Sequence, residues 1–166
     1  MVAASEQALT LAGESSSVDL AVPQSARARV AAAATSGSRI LISVDNIKTD
    51  VNPGVVYGVY IDLPPNASVD QRREYHVGNV ALFGIEKMND PDVRGNCPPG
   101  FPHLFDATRV VSKLTDEGRW DPSAVTVTFQ PIEPLPPPGE EDTWQPESAA
   151  PPASPVEVGR VGLFVA

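Results

Sequence analysis

The sequence predicts an all-β fold, an antiparallel β-sandwich of about seven strands with one short helix and a long Pro-rich loop. Three features predict it. Short segments rich in valine and isoleucine alternate with a period of two. Gly, Pro, Asn and Asp interrupt them at short intervals. The 18 prolines among 166 residues, about twice average usage, make part of the chain irregular.

The strongest strand signals are Arg39 to Ile47, with Ile40, Ile42 and Val44 on one face, and Val55 to Leu63, with Val55, Tyr57, Val59, Ile61 and Leu63 alternating. The segment Asp50 to Gly54 between them has the composition of a tight turn, which suggests a hairpin. Three further strands are read over Tyr75 to Glu86, Ala124 to Pro131 and Glu157 to Val165, and two weaker ones over Ala8 to Ala12 and Val18 to Val22. One helix fits Asp106 or Thr108 as its cap, Val110, Val111 and Leu114 at helical spacing, and Gly118 as its stop. Ser15 to Ser17 and Ser25 to Ser38 read as loops, with room for a helical turn or two over Ala26 to Ala34. Residues 132–156 hold eight prolines among acidic and small residues, which rules out a ladder or a helix and leaves a long loop. In domain terms, 1–38 is a connection with the first weak strands, and 39–166 is the sandwich. Tyr57, Tyr60 and Phe83 read as packing residues.

Composition excludes several functions. A net charge of −9 repels phosphate backbones and argues against nucleic acid. No apolar run is long enough to span a bilayer, and Met1 to Glu14 lacks the pattern of a secretory signal, so neither membrane nor localisation is indicated. The single cysteine, Cys97, cannot make an internal disulfide. Phosphate loops, paired zinc cysteines and serine elbows are absent from the sequence. Asp116, Glu117 and Glu140 to Asp142 read as solvated loop charges, and Asn66-Ala67-Ser68 as a chance glycosylation triplet. A blue-copper centre needs two histidines, a cysteine and usually a methionine. His76, Met88, Cys97 and His103 supply those types, but no methionine follows His103, so the ligand order fails.

Four blocks then share one order. Ile40 to Ile47 with Asn52 to Pro64, His76 to Ile85, Phe105 to Leu114 with Trp120-Asp121 and Val125 to Phe129, and Val158 to Val165 resemble the C-terminal domain of bacterial tyrosinase-family proteins. The order also parallels the same domain of plant polyphenol oxidases and, more loosely, the sandwich that follows the copper domain of molluscan haemocyanins. The resemblance covers residue 39 to the end. It implies a noncatalytic domain that shields or stabilises a dicopper catalytic domain, in the same chain or a separate one. Two histidines cannot supply the six imidazoles of a type-3 copper centre, so no cofactor is expected in this chain. In such a role one apolar side chain occupies the place of a phenol in the copper pocket. The segment Cys97 to Leu104, read as a proline-stiffened loop, offers Phe101 and Leu104, with Phe101 the first choice and a ring folded onto its own sandwich the alternative. Self-association through exposed sheet edges is a rival reading.

Overall fold

A computed structural model of the chain describes residues 1–50, 54–82, 85, 90, 92, 101–132 and 154–166, with Phe101 described by its backbone only. Nine strands and three helices lie among them: β1 (Ala3–Ala4), β2 (Leu9–Leu11), β3 (Ser16–Ala21), α1 (Gln24–Ser36), β4 (Ile40–Lys48), β5 (Val56–Ile61), α2 (Val69–Tyr75), β6 (His76–Ala81), β7 (Phe101–Asp106), α3 (Thr108–Asp116), β8 (Ala124–Ile132) and β9 (Val156–Val165). Every strand pairing is antiparallel. One sheet has the order β1-β9-β4-β7 with β2 also on β9, and the other has the order β3-β8-β5-β6. The fold is therefore an all-β sandwich. Among the described residues no helix is long and apolar enough to cross a membrane.

The period-two pattern does what strand geometry requires. Ile40, Ile42 and Val44 of β4 are fully buried, as are Val125, Val127 and Phe129 of β8 and Tyr57, Val59 and Ile61 of β5. Residues directly opposite across a ladder share a face, so the register carries this apolar face across each sheet. Val59 sits opposite Phe129, and Ile42 sits opposite Leu163. The two inner faces meet in one core that also takes Leu11 and Leu20 from the first strands.

The sequence-based hairpin of β4 and β5 is not formed. β4 lies between β9 and β7 in the first sheet, and β5 lies between β8 and β6 in the second. Alternation tells which side chains face inward but not which strand is the neighbour, and β4 has both edges filled by distant segments. Residues 51–53 of the expected turn lie outside the described residues, although Gly54 has the positive φ, 67°, that a turn glycine permits.

Three segments read as loops are regular. Ser16 and Ser17 belong to β3, paired with Thr128 and Phe129. Residues 101–104 belong to β7, not to a loop, and Pro102 is tolerated because β7 is an edge strand with hydrogen bonds needed on one side only. The alanine-rich stretch is a full 13-residue helix, α1. Alanine has the highest helix propensity, and its small buried face of Val30, Ala33 and Ala34 gives little hydrophobic periodicity to detect. α1 packs with α3, whose buried Val110, Val111 and Leu114 form the expected stripe, and Ser112 Oγ donates to the Ala34 carbonyl between them. α2 is a helix the strand pattern does not show, although Ser68 and Gln71 form a reciprocal capping box at its start, a signal the sequence carries openly. Most of the Pro-rich segment, 133–153, and Phe83 lie outside the described residues.

Candidate functional site

The strand that carries the sequence-predicted candidates, β7, is the terminal strand of the first sheet among the described residues, beside β4. His103 pairs with Val44 and Phe105 with Ile42, both buried core positions, so these two rings lie on the inner side. They stack with centroids 5.9 Å apart and planes 4° from parallel. Burial lowers the His103 pKa, which keeps the imidazole neutral. Phe105 also reaches the edge of the other sheet. A Cβ placed on Gly78 of β6 would come within 2.4 Å of the Phe105 ring, so only glycine allows this close approach. Phe105 thus ties the free edges of the two sheets together.

The outer side of β7 is different. Leu104, opposite Ser43, is 63% exposed, and few large apolar side chains among the described residues are as open. One step along the ladder, Leu41 sits opposite Phe164, and both are half-buried on the same outer face. Gly162, opposite Ser43, is already covered on this face, since a Cβ there would meet Ser43 Oγ at 2.8 Å, the Phe164 ring at 3.2 Å and Met1 Sδ at 3.7 Å. Asp106, Asp45 and Arg160 occupy the neighbouring outward positions. The result is an apolar stripe of Leu104, Leu41 and Phe164 with charged flanks. The sequence did hold a signal for it, since Ile40-Leu41-Ile42 and Leu163-Phe164-Val165 are apolar on both faces of their strands.

The two histidines do not converge. His76 shares a 2.7 Å hydrogen bond between Nε2 and Asn79 Oδ1 and tilts against the Tyr60 ring at 5.3 Å, whereas His103 stacks inside on Phe105. Met88 and Cys97, the other members of the blue-copper alternative, lie outside the described residues. Among the described residues no group of three or more His, Cys, Asp and Glu side chains is placed to hold a metal ion. Tyr57 is a packing residue as expected, fully buried, and its hydroxyl additionally accepts a hydrogen bond from the Gly13 N–H.

Taken together, the fold and this edge define an antiparallel β-sandwich with a partly exposed apolar strip on one sheet. A family model described as a domain of unknown function, DUF7868, matches residues 1–166, and the chain belongs to that family. No curated protein matches the chain. Among solved structures, the chain is similar to latent apple tyrosinase, with a TM-score of 0.51 and 13% identity over 97% of this chain and 28% of that one. It is also similar to recombinantly expressed latent aurone synthase, a polyphenol oxidase, with a TM-score of 0.50 and 15% identity over 93% of this chain and 25% of that one. At these identities the likeness establishes the fold, and the chain spans about a quarter of the length of each neighbour.

Proposed function

We propose that the chain is the noncatalytic sandwich of a tyrosinase-type copper oxidase, which shields or stabilises a dicopper domain carried in the same chain or in a separate one. The observation that carries this reading is the apolar outer edge of the first sheet, with Leu104 63% exposed on a hydrogen-bonded strand. A side chain that occupies a substrate pocket must be apolar, must project into solvent and must not bend away, and a strand provides the rigidity that a loop lacks. Two findings add support. The fold matches a quarter-length portion of polyphenol oxidase and tyrosinase chains, and both of those proteins are described as latent. A sandwich laid over a copper pocket is a simple physical route to latency.

Leu104 replaces Phe101 as the first choice for the shielding residue. Both lie on β7, but Leu104 is the one whose exposure on the outer face is described. The rival reading, self-association by edge pairing, finds an obstacle in Pro102, which removes a donor from the free edge of β7.

The test is the phenol oxidase rate of an isolated tyrosinase copper domain with this chain added in excess. Saturable inhibition is expected, and Leu104→Ala should weaken it by roughly tenfold, the consequence of losing about 1–2 kcal/mol of apolar contact. Phe101→Ala is the parallel variant. An unchanged rate with both proteins folded would sink shielding in trans, and concentration-dependent oligomers of the chain alone would favour self-association instead.

A further inference from the structure

A cleft of about 380 Å³ opens between α2 and α3, lined by Arg73, Glu74, Arg109, Val110 and Lys113. It lies where a helix leading into the second sheet meets a helix leaving the first, so residues far apart in sequence converge there. Its charge is out of keeping with the molecule. The chain carries −9 overall, yet the lining has three cations and one carboxylate, a balance of +2. The rim lowers this only in part, because Arg119 adds one positive charge while Glu117 and Asp70 add two negative ones, leaving +1.

The cations are unequally committed. Lys113 pairs with Glu74 at 3.2 Å and reaches Glu117 at 3.9 Å, and this pairing lowers the Glu74 pKa. Arg119 is taken up by Glu74, Glu117 and the Tyr75 hydroxyl. Arg73 has only a 3.9 Å contact with Asp70, both side chains being more than 80% exposed. The Arg109 guanidinium makes no ion pair or hydrogen bond with any described residue. Arg73 and Arg109, from different helices, therefore line one cleft, Arg109 with no ion-pair partner among the described residues and Arg73 with only the 3.9 Å contact to Asp70, and the buried Val110 lines it beside them. A guanidinium presents parallel N–H donors that match the oxygens of a phosphate, and a phosphate monoester carries a charge close to the one the lining leaves uncompensated.

We propose that this cleft is a binding site for a small phosphate-type anion, a phosphate monoester or a pyrophosphate, clamped by Arg73 and Arg109 with Lys113 as the third positive group. The cleft volume suits a small ligand better than a macromolecular surface. Binding relieves the mutual repulsion of the three cations, and the exposure of the site makes it sensitive to salt. This site is independent of the shielding role, because it lies on the helices and not on the outer strip of the first sheet.

The experiment is calorimetric titration of the chain with inorganic pyrophosphate and, separately, with inorganic phosphate, at ionic strength held constant with sodium chloride. Saturable one-site binding of pyrophosphate is expected, tighter than that of phosphate. Arg109→Gln and Arg73→Gln should each weaken it by roughly tenfold or more, as expected for loss of a charge-assisted bidentate contact. Lys48→Gln, on β4, removes the same charge from another part of the molecule and should leave the affinity unchanged. All three are surface positions, and far-ultraviolet circular dichroism checks that each variant is folded. Absence of saturable binding would overturn the proposal, as would an Arg109→Gln loss no greater than that of Lys48→Gln.

Discussion

Replacing Asp62 by asparagine should stabilise the protein at neutral pH and leave it nearly unchanged in acid. Asp62 follows β5 with a positive φ of 48°. Its N–H donates to the Thr126 carbonyl at 2.8 Å, and its Oδ1 accepts the Thr126 N–H at 2.8 Å. Burial pushes its pKa from 3.8 up to about 6, the Thr126 N–H opposes the rise, and Asp121 and Asp19 add to it. Because the folded value lies above the unfolded one, the favourable contribution is fully present below about 3.8 and is lost as pH rises through about 6. The gap between the two values corresponds to at most about 3 kcal/mol, and solvent around this half-buried group reduces that to about 1 kcal/mol. Asparagine keeps the Oδ1 acceptor, carries no charge and tolerates the left-handed backbone. Urea unfolding should therefore show Asp62→Asn more stable by about 1 kcal/mol near pH 7.5, a rise in Tm of about 2–4 °C, with the advantage gone near pH 4. A variant less stable than the parent at neutral pH, or equally more stable at both pH values, would refute the electrostatic reasoning.

Three further outcomes follow from the packing. Gly78→Ala would drive a methyl group into the Phe105 ring and should cost about 1–3 kcal/mol in urea unfolding, while Phe105→Leu in the same chain should recover part of it. Phe129→Ala empties a fully buried position of β8 and should cost about 3–5 kcal/mol, read by the same assay. Ser68→Ala removes the capping box of α2 and should lower stability by about 1 kcal/mol, whereas Leu104→Ser on the exposed edge should change it by less than about 0.5 kcal/mol.

Much of the fold was legible because strand burial has a local signature. Ile40, Ile42 and Val44, or Val125, Val127 and Phe129, declare an inner face by their spacing alone, and the same holds for Val110, Val111 and Leu114 on α3. Two errors at sequence level also had local causes. The alanine helix α1 hides its periodicity because alanine contributes little contrast, and Pro102 made an edge strand look like a loop. The candidate strip is half legible: the sequence points to Leu104, but its partners Leu41 and Phe164 become neighbours only when β4 and β9 pair, more than a hundred residues apart.

By itself the sequence determined the class of the fold, the inner face of the main strands and the place of α3, since all of these depend on residues a few positions apart. Tertiary structure alone decided that β4 and β5 go to different sheets, that Phe105 rests on Gly78, and that Arg73 and Arg109 open onto one cleft. Strand pairing and helix docking are choices among many apolar faces of similar pattern, and burial of the whole core, not any local preference, selects among them.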